Sequence, residues 1–189
     1  MAKYIGLTGY MGSGKGEISK RLEARGFKYI SLSDMVREEA TIRGLEHTRE
    51  NLQQVGNSLR SEHGAGVLGL KAREKVASNP DENWVIDGIR NPACIEELRE
   101  LPNFKVLGVT ANSDLLVNRI LERRRGGLDL DRDTVMQKLE KEKGVGEPPE
   151  GQQVKKCLDQ VDHLILNEGS LEDLDQKFEH FIELWEGNV

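Results

Sequence analysis

The sequence predicts an α/β fold of three layers, a five-stranded parallel sheet held between two layers of helices. Three observations predict it. The stretch Gly9-Tyr10-Met11-Gly12-Ser13-Gly14-Lys15 reads G-x-x-x-x-G-K, a loop that cradles phosphate, and it joins an apolar strand to an amphipathic helix. Further apolar runs follow, separated by segments of helical periodicity, which calls for parallel strands and right-handed crossovers. Finally, Gly9–Lys15, Asp34 and Asp87 all fall beyond or at the carboxyl ends of strands, where ligands bind in such sheets.

The elements follow in order. Tyr4 to Thr8 reads as a buried strand, and Gly16 to Arg25 as a helix with Ile18 and Leu22 on one face and Gly26 as its stop. Phe27 to Ser31 is the second strand. Ser33 is expected to cap a helix that begins at Asp34 and ends near Gly44. Thr48 opens a helix with Leu52, Val55 and Leu59 inward, broken at His63-Gly64, and another runs from Gly66 to Ala77. Trp84 to Asp87 is a short apolar run closed by an acid. Asn91-Pro92 supplies a cap followed by proline at the first helical position. Phe104 to Thr110 is the fourth strand, and Ser113 is expected to cap a helix reaching Arg124. From Arg123 to Gly151 the chain is charged and glycine-rich, with one helical piece from Asp133 to Lys143. Val161 to Leu166 is the fifth strand, and Ser170 caps a last helix with Leu174, Phe178, Phe181 and Trp185 inward.

At 189 residues the chain is expected to form one domain with a core large enough to need no staples. Its two cysteines, Cys94 and Cys157, lie far apart and suit a reducing compartment as packing thiols. No apolar run is long enough to span a bilayer, and Met1-Ala2-Lys3 leads straight into a strand. The expectation is a cytoplasmic protein with no membrane partner. A net charge of -6 opposes binding to a nucleic acid polymer, although a local cluster of cations still suits a nucleotide.

The loop residues Gly9, Tyr10, Met11, Gly12, Ser13, Gly14, Lys15, Gly16 and Glu17 are the candidate cofactor-binding set, because a glycine turn at a helix N-terminus aims backbone N–H groups at an anion. Lys15 adds a mobile positive charge. The position after Lys15 commonly carries a hydroxyl that holds Mg²⁺; Gly16 and Glu17 stand there instead, so the metal falls to carboxylates and water. Asp87 is the candidate metal carboxylate. Asp34 has two readings: first-turn charge that complements a helix dipole, or a second metal carboxylate or general base. Arg119, Arg123, Arg124 and Arg125 form a basic cluster before a Gly126-Gly127 hinge, which reads as dipole complement or as a lid over phosphates. Arg132 is a weaker lid candidate.

At these residues a resemblance becomes specific. Ile30-Ser31-Leu32-Ser33-Asp34-Met35-Val36-Arg37 resembles the acceptor-binding segment of adenylate kinase, and Val85-Ile86-Asp87-Gly88-Ile89-Arg90 resembles that family's Asp-Gly-Phe-Pro-Arg strand, with the arginine one residue early and the proline absent. Asn167-Glu168-Gly169-Ser170 resembles the base-contacting loop of dephospho-CoA kinase. The chain is similar to nucleoside monophosphate kinase-like P-loop NTPases, and the combination resembles the archaeal dephospho-CoA kinase-related proteins. The resemblance implies strand order 2-3-1-4-5, an acceptor-binding insertion at about 34–79 and a lid at about 123–151. It also implies ATP and Mg²⁺ as cofactors, with Lys15, Asp34, Arg123 and Arg125 catalytic. Ser33, Arg37, Asp87 and Arg90 would bind the acceptor, Asp34 and Asp87 the metal, and Asn167 and Gly169 the nucleotide base. The expected activity is transfer of phosphate to a small nucleotide by a monomer or homodimer. A dephospho-CoA kinase-like enzyme and a nucleotide-sensing ATPase switch are the alternatives.

Overall fold

The computed structural model describes residues 2–123 and 131–187. Five strands, β1 (Tyr4–Thr8), β2 (Lys28–Ser31), β3 (Trp84–Ile89), β4 (Phe104–Thr110) and β5 (His163–Leu166), form one sheet of order β2-β3-β1-β4-β5 with every pairing parallel. That is the predicted architecture and strand order. Every residue of β1, the central strand, is buried, as expected for a parallel strand covered on both faces.

The helices are α1 (Lys15–Ala24), α2 (Leu32–Ile42), α3 (Arg49–His63), α4 (Val67–Ala77), α5 (Pro92–Leu98), α6 (Ser113–Glu122), α7 (Arg132–Lys143), α8 (Val154–Leu158) and α9 (Leu171–Glu186). Alternation along the strands divides the core. Ile5, Leu7, Val85, Leu107 and Ile165 pack with Ile18 and Leu22 of α1 and Leu174, Phe178 and Phe181 of α9. Tyr4, Ile30, Ile86 and Val106 pack on the other side with α2 to α5. A third cluster, with Leu116, Ile120, Val135 and Leu139, joins α6 and α7 to Tyr10 of the glycine loop. Full burial of each such side chain contributes about 1.5–3 kcal/mol.

Two caps differ from expectation. Ser31, not Ser33, occupies the N-cap of α2, and the Asp34 carboxylate accepts the Ser31 N–H at 2.9 Å. Asn112, not Ser113, caps α6 and accepts the Leu115 N–H at 2.9 Å. In both places two cap-forming residues lie close together, and the earlier one takes the extended backbone. The short helix α8 falls between Gly151 and Val161, a stretch given no element from the sequence, where five residues are too few to show periodicity. Along β3 the register with β1 shifts. Gly6 faces Ile86 while Thr8 faces Ile89, so β3 carries an extra residue at Asp87-Gly88, where Gly88 has φ 80°. The strand therefore runs past Asp87 and does not end on it.

Candidate active site

The glycine loop leaves β1 and enters α1 through three left-handed positions, Gly9 (φ 145°), Gly12 (φ 81°) and Gly14 (φ 106°). Gly9 is tight as well: a Cβ there would stand 2.0 Å from the Val109 carbonyl oxygen. Only a glycine satisfies both demands. At the far end of the loop, Lys15 and Gly16 are the first helical residues, whose N–H groups have no intrahelical partner. Ser13 is fully buried, and its hydroxyl has no partner among the described residues. Such a set of orphan donors suits an anion.

Lys15 folds back over the loop. Its Nζ donates to the Gly9 and Tyr10 carbonyls at 2.7 and 3.0 Å. Burial pulls its pKa below the ordinary lysine value, Asp87 and Glu142 oppose that shift, and Arg90 and Arg123 add to it. The lysine is thus only partly exposed and already solvated by the loop's own oxygens. Glu17 turns away from the loop mouth: its hydrogen bond with Lys20 is the main influence holding its pKa low, and Arg21 adds to it. A Cβ on Gly16 would meet nothing within 4 Å.

The loop mouth holds a residue that the sequence did not single out. Glu142, on α7 and only 6% exposed, accepts the Met11 backbone N–H at 2.7 Å and stands 3.6 Å from Arg90. Behind the loop, the buried Asn167 side chain donates to the Ser13 carbonyl at 2.8 Å, while Arg119 donates to the Asn167 carbonyl at 2.9 Å. Asn167 therefore braces the loop and does not present its amide to a base. Gly169 leaves room for the α9 cap, since a Cβ there would stand 2.0 Å from Asp173 Oδ2.

A cleft of about 1330 Å³ opens in front of the loop, between α2, α3 and the segment from α7 to Gln152. Arg37, Arg60, Arg90, Arg123, Lys138 and Lys141 line it together with Met11 and Gly12 of the loop. Ser33 lines it too. Arg37 donates to Asp34 at 2.8 Å, and Arg90 donates to Gln152 at 3.2 Å. Both Asp34 oxygens are thus engaged, one by Ser31 and one by Arg37. Burial opposes ionisation of Asp34, but hydrogen bonds from Ser31 and Arg37 outweigh it and hold its pKa below the usual carboxylate range.

Asp87 sits on the bulge, accepting its neighbour Gly88 N–H at 2.6 Å and the Tyr29 hydroxyl at 3.1 Å. A carboxylate has capacity for more. Among the described residues no group of three or more His, Cys, Asp or Glu is placed to hold a metal ion. A divalent cation at the loop would therefore draw most of its ligands from phosphate oxygens and water, and Asp87 has lone pairs left for it. Arg125, Arg124 and the Gly126-Gly127 hinge lie outside the described residues. Arg132 is tied to Asp114 and to Asn118 of α6, and does not line the cleft.

Sheet order and glycine loop are those of the P-loop kinase fold. Solved structures with this fold include a shikimate kinase from Bacteroides thetaiotaomicron (TM-score 0.56, 17% identity, 97% of this chain and 98% of that one). A dephospho-CoA kinase from Campylobacter jejuni is similar (TM-score 0.53, 13% identity, 97% of each chain). At these identities the likeness is one of fold alone. Residues 5–140 match the AAA domain family. The chain belongs to that family and, within it, to the UPF0200 proteins, being 33% identical to the UPF0200 protein of Pyrococcus horikoshii over 93% of this chain and 94% of that one. Both cysteines are free and buried, and burial raises the Cys94 and Cys157 thiols to about 11 and about 12, as suits packing thiols. Among the described residues no helix is long and apolar enough to cross a membrane.

Proposed function

We propose that this chain transfers a phosphoryl group from ATP to a small nucleotide acceptor, a nucleoside or deoxynucleoside monophosphate. The observation that carries the reading is the cleft itself. In a chain of net charge -6, six cationic side chains converge on one cavity that opens onto the glycine loop. Lys15 and the loop N–H groups hold the donor phosphates. Asp87 would hold Mg²⁺ through water, and the ion would neutralise charge on the donor phosphates. Arg123 and Arg125 follow charge onto the group in transfer.

The engaged state of Asp34 favours a phosphate acceptor over a hydroxyl one. A hydroxyl needs a base to take its proton, whereas a phosphate monoester, with a second pKa of about 6, is already a dianion at neutral pH. An aspartate whose two oxygens serve a cap and an arginine orients that arginine; it is a poor base. Product analysis with ATP and a panel of nucleoside and deoxynucleoside monophosphates plus dephospho-CoA tests the reading. Transfer to a monophosphate is expected. Transfer to dephospho-CoA alone would overturn the acceptor class, and ATP loss without an acceptor product would point to a switch.

Glu142 bears on the same site. Its carboxylate rests on a loop N–H in the region where donor phosphate would lie, so nucleotide and carboxylate compete as like charges. Glu142→Gln keeps an oxygen for the Met11 N–H and removes the charge. ATP affinity is expected to rise about tenfold, equivalent to ~1.4 kcal/mol. Calorimetry checks it; unchanged or weaker binding would show that the carboxylate supports the occupied site.

A further inference from the structure

Among the cationic side chains of the cleft, Arg60 is set apart by its surroundings. It lies in the last turn of α3 and is partly buried. Among the described residues its guanidinium makes no hydrogen bond and no ion pair, as is true of Arg123 and Lys138 in the cleft, whereas Arg37, Arg90 and Lys141 each have a carboxylate within 4 Å; what distinguishes Arg60 is the helix backbone it lies against. Four residues back on the helix is Gly56, where a Cβ would stand 3.2 Å and 3.6 Å from the two terminal nitrogens of Arg60. The guanidinium therefore lies across a bare stretch of helix backbone. A glycine inside a helix is unfavourable relative to alanine, and here it makes room for the arginine.

The guanidinium opens into a recess of about 150 Å³ at the back of the main cleft. Leu32, Val36, Leu52 and Leu68 give that recess apolar walls, and Arg90 and the acidic residue Glu150 line it as well. Burial lowers the Arg60 pKa, Cys94 and Glu147 oppose the shift, and Arg90 adds to it. Two guanidinium groups thus face one small space. A buried charge with its donors unmet is costly unless a ligand supplies the missing acceptor.

We propose that Arg60 and Arg90 together bind the phosphate of the acceptor, with Arg60 the residue that fixes its depth in the cleft. A planar fork with five donors matches a phosphate dianion, and the recess has room for one such group and not for a whole nucleotide. Arg90 is the link to chemistry, since it also reaches Glu142 at the loop mouth. The acceptor is then gripped by its phosphate between α3 and the end of β3, while its remainder extends into the larger cleft. This assignment rests on the phosphotransferase reading for its meaning, but it can be tested apart from it.

The test is calorimetric titration of inorganic phosphate into the full chain with ADP saturating the glycine loop, for wild type, Arg60→Ala and Arg60→Met. Phosphate affinity is expected to fall roughly ten- to a hundredfold in both variants, with ADP affinity unchanged. In the absence of anions the variants should melt no lower than wild type, because a half-buried charge with no partner among the described residues is removed, and phosphate should raise the melting temperature of wild type alone. Equal phosphate binding in wild type and variants, or no phosphate binding in wild type, overturns the inference. A variant that melts well below wild type assigns Arg60 to structure and overturns it too. Failure of ADP to bind wild type would instead sink the phosphotransferase reading, and the phosphate titration would then be run on the nucleotide-free chain, with the same two outcomes for Arg60.

Discussion

Lys15→Ala is expected to reduce phosphoryl transfer by about a thousandfold or more while leaving the chain folded. Removing one preorganised cationic group from a site of developing phosphate charge typically costs that much. The folded chain is expected to lose little, because among the described residues the Lys15 ammonium is bonded to the Gly9 and Tyr10 carbonyls alone. Turnover and melting temperature, measured on the same preparation, check the two halves. Turnover within tenfold of wild type would remove the loop from the chemistry. A melting temperature lowered by more than a few degrees would show that the lysine holds the empty loop together.

Gly9→Ala is expected to have the largest effect on stability. The added methyl must escape a carbonyl oxygen 2.0 Å away, and the backbone is at φ 145°. Strain of this kind and overpacking each cost about 1–3 kcal/mol. Together they give on the order of 3 kcal/mol or more, a fall in melting temperature of about 6–12 °C for a domain of this size. Gly16→Ala is the matched control, since nothing lies within 4 Å of its Cβ; a change within about 0.5 kcal/mol is expected. Thermal unfolding of the pair decides it. Equal melting temperatures would mean that β4 moves aside without cost.

The two glycines show how far the sequence could be read. Strand, loop and helix were legible because each has a local pattern: an apolar run, a glycine spacing, a 3.6-residue stripe. The parallel sheet followed from their alternation, and its order came from resemblance. Which glycine is sterically fixed was not legible, because the Val109 oxygen beside Gly9 is about 100 residues away in the chain. Glu142 was missed for the same reason: it is one of several acids on a charged helix, and only folding brings it to Met11. Arg60 left one faint signal, a glycine four residues earlier inside a helix. Asp34 and Asn167 were read as ligands, of metal and of base; the structure shows Asp34 bonded to Ser31 and Arg37 and the buried Asn167 bonded to Ser13. A sequence motif shows that a polar residue belongs near a site; it does not show which of its atoms are already bonded. The lid arginine Arg125 lies outside the described residues.

The bulge in β3 carries a consequence for the geometry of the whole cleft. In a regular strand, residues three apart point to opposite faces. Ile86 and Ile89 are three apart, yet both enter the core on the side of α2 to α5. The extra residue at Asp87-Gly88 is therefore a change of phase: it lets the strand put two isoleucines on one face and spend the residue between them on a carboxylate that answers to neither face. Everything downstream inherits the shift, including Arg90, which leaves the sheet one step later than a regular strand would deliver it. Length, in this strand, does what a side-chain substitution could not, and a chain shortened by one residue at Gly88 would keep every charged side chain and lose the aim of Asp87 and Arg90.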